Sequence, residues 1–267
     1  LPPSAQQGPV MLTAKNLQCM RAILGIAHCH GDLLGPAWHM VLTTLQHLVW
    51  ILGLKPSAGQ GGQLRVAKSS SETSAVLTTA VMADLPVLAN MLSNLFESSC
   101  HLSQDSLTCL VDALITISTE SLQIAFNNRE PSLFALAKLL ETGIVNLGRV
   151  EVLWRAVTSH LLEACSHPHP RMREWGGEAI TVLIHTALRH PHSPALSSTP
   201  RLQVTLLTPL VELSAVPHPD IRARQLDCVM NILHSSAETL SQGWPLIIQV
   251  IGALRPQHTE AVVRTAF

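Results

Sequence analysis

The stretch HPHPRMREW, His167 to Trp175, places two histidines, two arginines and a glutamate within one short run. HCH at His28, Cys29 and His30 and HPH at His190 and His192 add further imidazoles and a thiol. Such groups are the ordinary ligands of zinc, and a histidine near a carboxylate is the ordinary general acid or base. Zinc sites, however, draw ligands in paired, spaced sets, and no Cys-x-x-Cys supplies the other half. Alternate residues of an extended corner also point to opposite sides, so His167 and His169 do not aim at one ion. For nucleophilic catalysis there is no Gly-x-Ser-x-Gly turn, and for nucleotides no phosphate loop. GQGGQ, Gly59 to Gln63, neither follows a strand nor precedes a helix and has the composition of a linker. Glu120 and Glu141 are expected on helix surfaces without a partner. The expectation is a chain with no catalytic residue, no cofactor and no metal, whose 14 histidines make its surface pH-sensitive below neutrality.

The totals narrow the choice further. In 267 residues the hydrophobic share is 47% and the charged share 13%, a composition that packs and does not stay disordered. A formal net charge of -1 provides no field to attract a nucleic-acid backbone, and aromatics at 3% leave few platforms for stacking bases. Nucleic acid is therefore excluded as a partner, and any membrane association is expected to be indirect, through other proteins. Cys19, Cys29, Cys100, Cys109, Cys165 and Cys228 are scattered and read as small buried apolar residues of a reducing, cytosolic compartment. No secretory leader opens the sequence, and His, Gln or Thr interrupts the longest apolar runs short of a membrane span. The chain begins LPPSAQQG and stops at VVRTAF within a helical pattern, as a piece cut from a longer solenoid would.

These residues must be positioned by helices, because apolar residues recur at helical spacing nearly everywhere and no stretch keeps a two-residue alternation. After a polar lead-in, residues 1–52 give a first helix pair, from about Thr13 to Cys29 and from about Pro36 to Leu52. Residues 53–73 are rich in Gly and Ser and read as a flexible insertion. Residues 74–267 read as continuous helical repeats, with a break or kink near Pro86 and a cap at Ser103.

HLLEACSHPHPRMREWGGEAITVLIH and PLVELSAVPHPDIRARQLDCVMNILH superpose with an offset of 49 residues, carrying His169 onto His218 and Arg173 onto Arg222. A helix, proline corner, helix unit at this spacing is near the HEAT and armadillo period of roughly 40 to 47 residues. The fold class is therefore all-α, a HEAT/armadillo-like α-solenoid of antiparallel helix pairs. Proline stops one helix and, its φ being preset, starts the next. An apolar-Arg step follows in Met172-Arg173, Ile221-Arg222, Val263-Arg264 and Met20-Arg21. It resembles the second helices of HEAT repeats, whose arginines brace neighbouring layers. Arg21, Arg173, Arg222 and Arg264 are accordingly expected to be structural. Trp38, Trp154 and Trp244 each lead helically spaced apolar residues and are expected in the core between layers. Function is then left to the surface. The candidate partner-contact residues are Pro168, His169 and Arg171, His192 in the 191–200 loop, and His218 and Asp220, together with the insertion.

Two blocks carry a more specific resemblance. SLFALAKLLETGIVNLGRVEVLW, Ser132 to Trp154, fits a Leu-x-Lys-Leu-x-Glu helix followed by Asn-x-x-Arg and Trp, through Leu136, Lys138, Leu139, Glu141, Asn146, Arg149, Val150 and Trp154. HPDIRARQLDCVMNILHSSAETLSQGWPLIIQVIGAL fits the next block through Ser241, Gly243, Trp244 and Ile247. With LQHLVWILGLKPS and RMREWGGEAITVLI, the chain resembles the region downstream of the exchange domain in the large Arf guanine-nucleotide exchange factors. It is most similar to their Golgi relatives that lack that domain. The resemblance implies a peripheral scaffold of the trans-Golgi network and early endosomes, serving endosome-to-Golgi and Golgi vesicle transport. It also implies as partners Arf-like small GTPases, the Dopey protein and a phospholipid flippase, and offers no catalytic residue. The rival is a generic HEAT-repeat adaptor of another pathway, such as a nuclear transport receptor or a phosphatase scaffold.

Overall fold

The structure, a computed structural model, describes residues 14–51, 54–56, 59, 64–66, 79–127, 130–190, 200–253 and 260–266. Among them the helices are α1 (Ala14–Leu34), α2 (Ala37–Ile51), α3 (Thr79–Glu97), α4 (Gln104–Phe126), α5 (Phe134–Val145), α6 (Val150–Cys165), α7 (Pro170–Arg189), α8 (Pro200–Glu212), α9 (Pro219–Ser236), α10 (Trp244–Gly252) and α11 (Glu260–Ala266). Helix α1 breaks its regular geometry at His30 (φ -128, ψ 26), next to the expected end at Cys29, and then resumes for one turn. Gly35, at φ 44, terminates it in the left-handed region where glycine carries no Cβ penalty. Ser103 caps α4 as expected, its side chain accepting from the Ser106 N–H. The break expected near Pro86 is not found: the residue is exposed, and α3 runs through it as one helix.

The helices stack in two rows. Odd-numbered helices pack in the order α1, α3, α5, α7, α9, α11, and even-numbered helices in the order α2, α4, α6, α8, α10. Cross-row packing, strongest between α6 and α7 and between α4 and α5, closes each layer. No single pair could bury its apolar face alone, so the core is shared between layers, as in a solenoid. One apolar cluster runs from Leu17 through Leu114, Leu140 and Leu183 to Val250. Helix α4 is long and apolar enough to cross a bilayer, yet Leu107, Leu110, Leu114 and Ile117 are buried against its neighbours.

Helix α5 has the most complete enclosure, every residue from Phe134 to Gly143 being buried. It lies between α3 and α7 in its own row and against α4 and α6 of the other. A strand covers it further, which corrects the reading of the insertion as wholly flexible. Strand β1 (Leu54–Pro56) pairs antiparallel with β2 (Leu64–Val66), with Lys55 opposite Arg65, and β1 packs on α2 and α5. A helix apolar nearly all round needs walls on every side, and the extended chain completes them. Apart from Gly59, the rest of 53–73 lies outside the described residues.

Candidate functional site: the proline corners and the groove beside them

The two proline corners occupy equivalent places. His169 and His218 both cap their helices in extended conformation, with proline at the first helical positions. Their carbonyls accept from the Arg173 and Arg222 N–H groups at 3.2 Å in each case. The repeat deduced at an offset of 49 is thus a repeat of geometry.

The predicted contact residues are largely occupied within the molecule. Arg173 Nε donates to Asp220 Oδ2 at 2.8 Å, joining one corner to the next, and its Nη1 donates to the carbonyls of Pro168 (3.0 Å) and His167 (3.3 Å). Burial works to raise the Asp220 pKa, but the hydrogen bond and charge of Arg173 prevail and hold it below the usual aspartate value. Arg171 pairs with Glu130 in the loop before α5. Pro168 is exposed, His169 and His218 are half-buried, and His192 lies outside the described residues. Pro168, His169, Arg171, His218 and Asp220 therefore share one edge of the stack, much of it engaged in bracing.

The predicted structural positions divide. Arg222 is buried, donating through Nη1 to Gln225 Oε1 (2.6 Å) and through Nη2 to the Val250 carbonyl (2.7 Å) at the end of α10. It ties its layer to the next, as Arg173 does. Arg21 is half-buried in the second turn of α1. Arg264 is a correction: its side chain is 79% exposed and, among the described residues, its ion pair is with Glu260 of its own helix and reaches no other layer. Trp38 and Trp154 are core residues. Trp244 is a second correction, 39% exposed, because it lies with Ile248 on a side of α10 that no described helix covers.

Further corrections concern chemistry. Cys19, Cys29 and Cys100 are exposed and Cys109 is half-buried, so only Cys165 and Cys228 are buried apolar residues. Burial pushes both of those thiols up to about 12, which keeps them protonated and unreactive at neutral pH. Glu141 is not on a surface but pairs with Lys138 at 2.5 Å in the interior, where the ammonium also sits 4.8 Å from the centre of the Phe96 ring. Burial lowers the Lys138 pKa and raises that of Glu141, each opposed by the charge of the other.

Sequence reasoning recorded Asn146 and Arg149 as motif positions without seeing their task. Arg149 donates to the carbonyls of Leu102 (2.6 Å) and Ser99 (2.8 Å), and Asn146 Nδ2 donates to Ser99 Oγ (2.8 Å). The α5–α6 corner is thereby latched to the α3–α4 corner. Gln203 was missed altogether: its Oε1 accepts from the Ser241 and Gly243 N–H groups at 2.9 and 3.0 Å, shaping the entry to α10. An isolated glutamine gives no periodic signal, so nothing in the sequence marked it.

The described histidines are spread over separate surroundings. His167 is buried, its Nδ1 accepting from the His169 N–H (3.0 Å) and its Nε2 therefore donating to the Leu122 carbonyl (3.1 Å). Burial lowers its pKa, although the Leu122 bond acts in the opposite sense. His28 Nδ1 meets Ser98 Oγ at 3.1 Å beside a cleft of about 540 Å³ that His30, Asp32 and His101 also line. Among the described residues no three His, Cys, Asp or Glu side chains converge as a metal site would require.

One open feature remains beside the corners. Between α7 and α9 lies a groove of about 600 Å³ lined by Thr181, Val182 and His185 from one helix and by Arg224, Asp227, Asn231 and others from the next. Its polar stripe repeats at helical spacing on α9 and was available in the sequence, had polar periodicity been sought as well as apolar.

Residues 192–267 match a protein family described as Mon2/Sec7/BIG1-like, HDS. The chain is 57% identical over 262 residues to Protein MON2 homolog of Homo sapiens, covering 98% of this chain and 15% of that protein. It is 58% identical over 267 residues to Protein MON2 homolog of Drosophila melanogaster, 100% of this chain and 16% of that one. To Brefeldin A-inhibited guanine nucleotide-exchange protein 1 of Bos taurus it is 22% identical over 295 residues, 99% of this chain and 16% of that one. The chain thus spans about 15% to 16% of the length of the curated relatives it matches.

Proposed function

This chain corresponds to one segment of the MON2-homologue family, and on that premise we propose that it is a non-catalytic scaffold segment of a Golgi and endosome trafficking protein. The observation that carries the reading is the match to MON2 homologues along the whole chain, at 57% and 58% identity. The proposed site of action is the cytoplasmic face of trans-Golgi network and early endosome membranes, reached through other proteins. A formal net charge of -1 supports that indirect route, since it supplies no attraction to an anionic bilayer. The proposed work is HEAT-like: a stack of helix pairs that presents corners and grooves to Arf-like small GTPases, the Dopey protein or a phospholipid flippase in endosome-to-Golgi and Golgi transport. The latch of Arg149 and the braces of Arg173 and Arg222 keep that surface in one shape.

The test is location. The tagged full-length parent protein is expected to concentrate on Golgi membranes in cells. A uniform cytosolic or a nuclear distribution would overturn the reading and favour an adaptor of another pathway.

A further inference from the structure

We propose that the groove between α7 and α9 is a docking site for an extended peptide segment that carries a carboxylate. The groove measures about 600 Å³ and lies between successive helices of the odd-numbered row. On its α9 wall Arg224, Asp227 and Asn231 follow one another at helical spacing and form one polar stripe. Among the described residues, none of these three side chains has a hydrogen bond or an ion pair, whereas the arginines of the neighbouring corners are engaged. A half-buried, unpaired guanidinium presents a fork that suits a carboxylate, and Asp227 beside it leaves room for a single acidic group and not for a run of them. The Asn231 amide offers an NH2 donor group and a carbonyl acceptor, which complement the C=O and N–H of a peptide unit. On the opposite wall Thr181 and His185 complete the polar lining, His185 Nε2 meeting Ser235 Oγ at 3.3 Å.

The chain's own insertion argues for an extended occupant. One layer earlier, β1 lies across α2 and α5. Gly59 comes so near α7 that a Cβ added there would stand 2.8 Å from the Glu178 carboxylate. Glu178 is one turn before Thr181 and Val182, where the open groove begins. The insertion thus covers one stretch of the stack, and among the described residues the adjoining groove between α7 and α9 is open. The occupant there is a segment of a partner protein. Cys228, on the floor, is buried and its thiol is pushed up to about 12, so capture is non-covalent.

The proposal deepens the scaffold reading and rests on it only in taking the occupant to be protein; Golgi location tests the scaffold reading separately. The experiment selects displayed random peptides against the 267-residue protein and measures the selected peptides by fluorescence anisotropy. Asp- or Glu-containing sequences are expected to enrich. Arg224→Glu should weaken them about tenfold or more, as should replacing their acidic residue by its amide. Asn231→Ala, an exposed change that leaves the core intact, should weaken them severalfold, while Arg189→Ala outside the groove should not. Peptides that bind Arg224→Glu and Asn231→Ala as well as the parent, or no enrichment over those variants, would overturn the proposal. So would a homodimer in sedimentation that Arg224→Glu dissociates, since the groove would then be occupied by a second copy.

Discussion

The corner before α7 and the corner before α9 share the sequence Pro-His-Pro-x-apolar-Arg, yet the two arginines end in different surroundings. Arg173 stays at the rim, paired with Asp220, while Arg222 turns inward to Gln225 and the end of α10. The cause lies three residues further on. Position 176 is glycine, and a Cβ there would sit 2.9 Å from the Ala164 side chain and 3.0 Å from the Cys165 nitrogen, so α7 lies directly on α6. The equivalent position on α9 is Gln225, whose Nε2 donates to the Leu210 carbonyl (2.5 Å) and Ser214 Oγ (2.8 Å) and whose oxygen receives Arg222. A repeated motif therefore fixes where the chain turns, and a single neighbouring residue decides whether its charge is structural interior or outer brace.

The sharpest way to break this contrast is to remove both arginines in turn. Arg222→Ala orphans the Gln225 oxygen, takes one of two donors from the Val250 carbonyl, which keeps the Ala253 N–H, and is expected to cost about 3 kcal/mol in urea unfolding. Arg173→Ala, at the rim, is expected to cost under about 1 kcal/mol, less still at high salt. Equal losses would refute the distinction. Gly176→Ala tests the steric half: the added methyl meets backbone and is expected to cost about 2 kcal/mol by thermal unfolding. No loss would show that α7 can stand off from α6. The smallest expected effect concerns acid. The first corner holds buried His167, and the second holds Val216 in its place. Because burial lowers the folded His167 pKa, the folded state binds fewer protons than the unfolded one. Its contribution is fully present above the unfolded value of 6.5 and is lost as pH falls through the folded value. His160 and His185, also lowered by burial, add to the same slope. His167→Val should flatten the fall of unfolding temperature between neutral and mildly acidic pH, and an unchanged slope would assign the effect elsewhere.

The fold was legible because proline corners, 3.6-residue apolar spacing and capping residues are strong local signals: the cap at Ser103 and the offset of His169 and His218 were read from them, while the end expected at Cys29 is only a break beside it, α1 resuming to Leu34. The β1–β2 pairing within the insertion was not foreseen because a short ladder leaves no alternation to detect, and its docking on α2 and α5 is a tertiary event. Trp244 and Arg264 were placed by analogy with earlier layers, but each depends on a neighbour that the described residues do not provide. Glu141 was taken for surface because charge usually is, and only the enclosure of α5 reverses that expectation.

That enclosure has a kinetic corollary. Backbone amides of α5 can meet solvent deuterium only after both flanking layers and the strand above it have parted, so they should be the slowest in the molecule to exchange.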